Sequence, residues 1–124
     1  MRMERGQPMT GPAIKGFTSL GYRLDDVTVA AALLLTTERA SDWAPPPLTE
    51  LTIESLEPAL TPKPEFVVLG TGASLRRPPA ALIRALDARG IGLEPMDSRA
   101  AARAWSMLRE EGRPIAAALY PLDA

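Results

Sequence analysis

The sequence predicts an α/β fold: a largely parallel sheet core, helices packed on it, and a β-hairpin at the N-terminal side. Three observations predict it. Three short apolar runs recur in the second half of the chain, Phe66-Val67-Val68-Leu69, Ile91-Gly92-Leu93-Glu94-Pro95 and Ile115-Ala116-Ala117-Ala118-Leu119-Tyr120, and such runs read as strands, the first and last covered on both faces. Between them lie two segments whose apolar residues recur at helical spacing, so the strands are joined by right-handed βαβ crossovers. Upstream, Gly21-Tyr22-Arg23-Leu24 and Val27-Thr28-Val29 flank Asp25-Asp26 and read as a hairpin.

In chain order, residues 1–12 carry charges and two prolines with no apolar core and read as a disordered tail rather than a signal peptide. Residues 13–124 form a single domain, near the commonest domain size. A first strand is expected around residues 13–19. In the hairpin, Asp25-Asp26 is expected to supply the positive φ of a tight two-residue turn. Residues 27–35 then read as one long strand entering the core. Trp43 precedes Pro45-Pro46-Pro47, a stiff extended spacer. Leu51, Ile53, Leu56 and Leu60 place a short helix over residues 48–60, ended by Pro62.

After the Phe66-Leu69 strand comes the loop Gly70-Thr71-Gly72-Ala73-Ser74. Pro78 and Pro79 suit the first turn of the following helix. Leu82, Ile83 and Leu86 form its apolar stripe, and Gly90 supplies the left-handed stop with Ile91 folding back on Leu86. The next strand ends at Pro95. Asp97 or Ser98 caps the last helix, whose buried face carries Ala101, Trp105 and Leu108. Gly112 and Pro114 end it before the final strand.

Composition excludes several chemistries. The 124 residues contain neither histidine nor cysteine, which removes Ser–His triads, thiolate nucleophiles, disulfides and His- or Cys-ligated zinc. With 14 basic and 15 acidic residues the net charge is −1, which disfavours nucleic acid as a partner. The longest apolar stretch is about half the ~20 residues that a membrane helix needs. A cytoplasmic protein without a membrane span is the expectation, with no cofactor and no metal. Glu94 and Asp97 alone make a poor Mg²⁺ site.

Taken in series, Leu69-Gly70-Thr71-Gly72, Arg76 with Pro78, Gly90-Ile91-Gly92-Leu93-Glu94, Met96-Asp97, Ala100-Ala101, Glu111-Gly112-Arg113 and Ala116-Ala117-Ala118-Leu119 resemble a family of small α/β proteins of unknown function. Its members include mitochondrial complex I assembly factor 3 and an adipogenesis-associated protein. The resemblance spans residues 14–122. It implies a three-layer fold with a mixed, partly parallel central sheet, helices packed on it and an N-terminal β-hairpin. It also implies assembly-factor or scaffolding roles. Where the family carries a Thr-Tyr-Asn-like triplet in the last helix, this chain has Ala104-Trp105-Ser106.

The leading functional expectation is a non-enzymatic interaction or assembly module that touches a client protein or a second copy of itself through an apolar patch, with the Trp43–Pro47 segment as a candidate. The alternative is a small-anion or nucleotide-binding protein. Its cleft would lie beyond the carboxyl ends of the parallel strands, where open α/β sheets bind ligands. Gly70, Thr71, Gly72 and Ser98 would offer backbone N–H groups, Arg76 and Arg103 guanidinium forks, and Asp97 the only nearby base. No residue is assigned as catalytic. The glycine loop lacks the lysine of a P-loop and the third glycine of a dinucleotide fingerprint.

Overall fold

A computed structural model describes residues 12–124. The expected tail, residues 1–12, lies outside the described residues except for Pro12, whose carbonyl accepts a hydrogen bond from Trp105 Nε1 at 2.9 Å. Two sheets organise the chain. The first is antiparallel and holds β1 (Gly16–Thr18), β2 (Gly21–Arg23) and β3 (Val29–Ala30). The second has five strands: β4 (Leu33–Leu35), β5 (Ala40–Asp42), β6 (Phe66–Gly70), β7 (Gly92–Met96) and β8 (Ala116–Leu119), in the order β5-β4-β8-β6-β7. β6 runs parallel to both β7 and β8, whereas β4 is antiparallel to β8 and to β5. The central sheet is therefore mixed, with a parallel half.

Strand order dictates where the helices go. The chain leaves β6, forms α2 (Ala80–Ala88) and enters β7 at the edge; it then forms α3 (Ser98–Glu110) and steps back across β6 to β8. Two right-handed crossovers in opposite directions place their helices on opposite faces. The core divides accordingly. Val67, Leu69, Ala116 and Ala118 point toward Leu82 and Leu86 of α2, whereas Val68, Ala117 and Leu119 point toward Ala101 and Trp105 of α3. The alternation along β4, β6 and β8 is the period-two pattern of a strand, but both of its phases are apolar because both faces are covered. The N-terminal sheet shares the α3 side, through Tyr22 and Ala30. Three layers result. Ala117 in β8 shares its cluster with the fully buried indole of Trp105; truncating a buried Trp of this kind costs about 3–5 kcal/mol.

Several local expectations change. The hairpin is real but its turn is longer than two residues: Tyr22 pairs with Ala30, Arg23 with Val29, and Leu24 N donates to Thr28 O. No described non-glycine residue has a positive φ. Instead, Asp25 Oδ1 accepts from the N–H groups of Val27 and Thr28 at 2.9 and 2.7 Å, so the side chain organises the turn. The long strand expected over residues 27–35 is two strands in different sheets. Val27 is 89% exposed, whereas all of Leu33–Leu35 is buried; the chain bends between them as it passes from the small sheet to the large one. Residues 48–60 form no continuous helix. A 3₁₀ turn (Leu48–Glu50), the one-turn helix α1 (Ile53–Leu56) and a second 3₁₀ turn (Glu57–Ala59) follow one another, since Pro58 has no N–H for a helical ladder. Leu48, Leu51, Leu56 and Leu60 are buried all the same.

Pro78 and Pro79 precede α2 instead of opening it. Ile83 lies 45% exposed, outside the stripe assigned to it, while Leu82 and Leu86 are buried. Gly90 ends the helix as expected, with φ +74° and Ile91 N donating to Leu86 O at 3.0 Å. Pro95 does not end β7; it sits inside that strand. The reason is positional. Gly92 N donates to Glu65 O and Met96 O accepts from Thr71 N, so the backbone groups of even-numbered residues bond inward to β6 and those of Leu93 and Pro95 face the open edge. Proline at an outward position on an edge strand forfeits no ladder bond and denies a donor to any additional strand. Replacing Pro95→Val restores that donor, and sedimentation velocity should then show greater concentration-dependent self-association than in the parent. An unchanged distribution would contradict this role for the proline.

Candidate functional site

The loops after β6 and β7 depart toward opposite faces of the sheet, which makes the carboxyl end of these strands a topological switch point. Gly70 closes β6 because nothing larger fits: a Cβ there would lie 2.9 Å from Ser98 Oγ and 3.0 Å from Leu119 Cδ2. Gly72 has φ +109°, and a Cβ on it would meet the Ala124 oxygen at 2.1 Å. The two glycines thus let the loop close directly onto α3 and onto the segment after β8.

The polar groups at this junction are paired with one another. Thr71 N donates to Met96 O at 2.9 Å, Ser98 N to Gly72 O at 2.8 Å, and Ala73 N to Ala124 O at 3.0 Å. Ser98 is wholly buried; its Oγ accepts from Gly72 N at 2.8 Å and donates to Tyr120 O at 2.9 Å. Tyr22 OH, from the N-terminal sheet, donates to the same Tyr120 oxygen at 2.5 Å. Thr71 is also buried. Its Oγ1 donates to Ser74 O at 2.7 Å and accepts from Arg76 N at 3.0 Å, while Arg76 Nε and Nη2 reach back to Thr71 O at 3.3 and 3.2 Å. A net hydrogen bond contributes about 1 kcal/mol, and a buried group left unmatched costs about 1–3 kcal/mol, so the closed arrangement favours itself.

Of the residues expected to form a cleft, the structure brings together Gly70, Thr71, Gly72, Arg76, Asp97 and Ser98. Asp97 is the N-cap of α3, its Oδ1 accepting from Ala100 N at 2.9 Å. Arg103 is elsewhere: its guanidinium lies over the Phe17 ring, 5.7 Å from the centroid. Among the described residues no group of three or more His, Cys, Asp or Glu side chains is placed to hold a metal ion.

Two tyrosines border the junction, and burial pushes both phenols up to about 12. For Tyr22 the nearby Ser98 hydroxyl pulls in the opposite direction, and for Tyr120 the Arg76 charge does. Tyr120 OH donates to Pro46 O at 2.7 Å, and its ring meets Trp43 edge-on at 5.1 Å. The Trp43–Pro47 segment is therefore pinned to the core, with Trp43 packed against it.

The sequence offers no local signal for Tyr22, which acts across 98 positions of chain, nor for the second hydrogen bond of Ser98. It does offer one for Arg99 and Arg103, whose spacing places them one helical turn apart.

Residues 14–120 match the family described as protein of unknown function, DUF498/DUF598. The chain belongs to that family. It is 31% identical over 116 residues to NADH dehydrogenase (ubiquinone) 1 alpha subcomplex assembly factor 3 of Danio rerio, an alignment covering 92% of this chain and 67% of that protein. It is 30% identical over 109 residues to an uncharacterised protein of Rhodobacter capsulatus, covering 88% of this chain and 84% of that one. The crystal structure of a Bordetella parapertussis protein superposes with a TM-score of 0.79 at 27% identity, covering 94% of this chain and 99% of that one. The mixed sheet and the helices on its two faces are thus the architecture of this DUF498/DUF598 member and of a solved relative.

The junction makes Ser98 and Asp97 separable. Ser98→Ala leaves the buried Gly72 N–H without an acceptor and should lower unfolding stability by about 1–3 kcal/mol. Asp97→Ala removes only a cap, at a cost of about 1 kcal/mol. Urea denaturation of both variants checks this order, and a Ser98→Ala variant as stable as the parent would contradict the lock.

Proposed function

We propose that the chain is a protein-interaction module of assembly-factor type that acts by binding a client protein. Two lines support this reading. The relatives with curated names are assembly factors, and the polar groups at the carboxyl edge of the sheet are engaged with one another. The observation that carries it is an apolar surface at the outer side of α2 and β7. Leu75 is 64% exposed and Ile83 45%, and with Pro78, Pro95, Arg76 and Arg77 they line an open hollow of about 440 Å³. Fully burying a Leu or Ile side chain is worth about 1.5–3 kcal/mol, so a partner that covers both recovers part of the cost of association.

No helix among the described residues is long and apolar enough to cross a membrane, and a cytoplasmic site of action remains part of this proposal. The small-anion or nucleotide alternative ranks second, because the loop amides it would use already have partners within the chain.

Leu75→Asp with Ile83→Asp tests the reading. The immobilised parent should retain a defined client that the double variant loses, with the thermal midpoint unchanged because both positions are exposed. Equal retention by parent and variant would overturn it. A parent that binds only itself in sedimentation velocity would replace the client with a second copy.

A further inference from the structure

From the side chains gathered at the junction of α3 and the N-terminal sheet, we infer a second contact surface, shaped for an acidic, aliphatic-containing peptide segment of a partner protein. The inference rests on the interaction-module reading but uses a different part of the molecule. Arg99 and Arg103 are exposed and one turn apart on α3, and each guanidinium carbon lies 5.7 Å from the centre of the same Phe17 ring. Lys15 is exposed two residues before Phe17, and Arg23 Nη2 donates to Lys15 O at 3.3 Å, drawing a fourth cation to the same edge. Among the described residues none of these four side chains has a carboxylate within ion-pair distance; the pairs there involve Arg89 and Arg113.

Like charges at this helical spacing repel. The Phe17 ring face offsets part of that repulsion by cation–π attraction, but a ring supplies no hydrogen-bond acceptor for the guanidinium N–H groups. Carboxylates would supply both the opposite charge and the acceptors, in the fork geometry that arginine favours. Beside the cations is an open hollow of about 330 Å³ whose lining includes Ile14, Phe17 and Ala102 and contains no carboxylate. An aliphatic side chain flanked by acidic residues matches that combination. Asp25, the acid nearest Arg23 in sequence, already accepts two backbone N–H groups in its own turn. Asp123 shares with Arg99 a separate hollow of about 300 Å³, outside ion-pair distance. Residues 1–11 carry Arg2 and Arg5 against Glu4, the wrong balance to serve as the occupant. A net charge of −1 and one half-buried ring provide little for a phosphate polymer or an anionic bilayer to hold at long range.

Fluorescence anisotropy of the full chain with a short labelled peptide of Glu and Leu residues tests the proposal. Saturable binding is expected, weakened by rising salt and by roughly tenfold or more in Arg99→Glu/Arg103→Glu. It should survive in Leu75→Asp/Ile83→Asp, which separates this surface from the apolar one. A Glu-only peptide should bind more weakly than the mixed one. Absence of binding, or binding that the arginine reversal leaves intact, would overturn the proposal. Tighter binding of labelled oligothymidylate or of phosphatidylglycerol vesicles would also overturn it.

Discussion

Two hydroxyls from distant parts of the chain, Ser98 Oγ and Tyr22 OH, donate to one backbone oxygen, that of Tyr120. A carbonyl has two lone pairs, and here both are used inside the protein, where an unmatched group would be costly. The three partners belong to the N-terminal sheet, the start of α3 and the exit of the central strand β8. Breaking the convergence would therefore loosen both crossovers and the small sheet together. Gly70 is constrained by the same point, because Ser98 occupies the space its side chain would need.

This closure decides where the molecule can meet others. In many α/β proteins the divergence of two loops at adjacent strands leaves a crevice for a ligand. Here the divergence is bridged by Thr71 to Met96 and by a reciprocal pair of bonds between Gly72 and Ser98. Two outward groups stand on opposite sides of the sheet: aliphatic side chains beside α2 and β7, and guanidinium groups around Phe17. They differ in charge and shape.

The architecture was legible in the sequence wherever one physical requirement dominates. Apolar runs wanted two covered faces, Gly90 wanted a left-handed stop, and the crossover rule set the parallel half of the sheet. Legibility failed where distant parts of the chain intervened. Residues 27–35 show an unbroken preference for strand, yet the sheet change at Ala31 and Ala32 is imposed by pairing partners far away. The leucines of residues 48–60 indicated burial correctly, but Pro58 left them only turns to be buried from. At the candidate site the sequence brought the right loops together, since βαβ topology places them at one edge. It could not show that their N–H groups would find acceptors within the junction, and it assigned Arg103 to the cleft although its guanidinium lies over Phe17, because helical spacing fixes a face and not a partner.

Amide hydrogen exchange at Thr71, Gly72 and Ala73 tests the closed junction most directly. If the loop is a structural lock, these N–H groups exchange at rates set by global unfolding, as slowly as those of Val68 in β6, and inorganic phosphate or nucleotides leave both rates and chemical shifts unchanged. Fast exchange from the native state, or protection that appears only when an anion is added, would show a loop built to open for a ligand and would contradict the account.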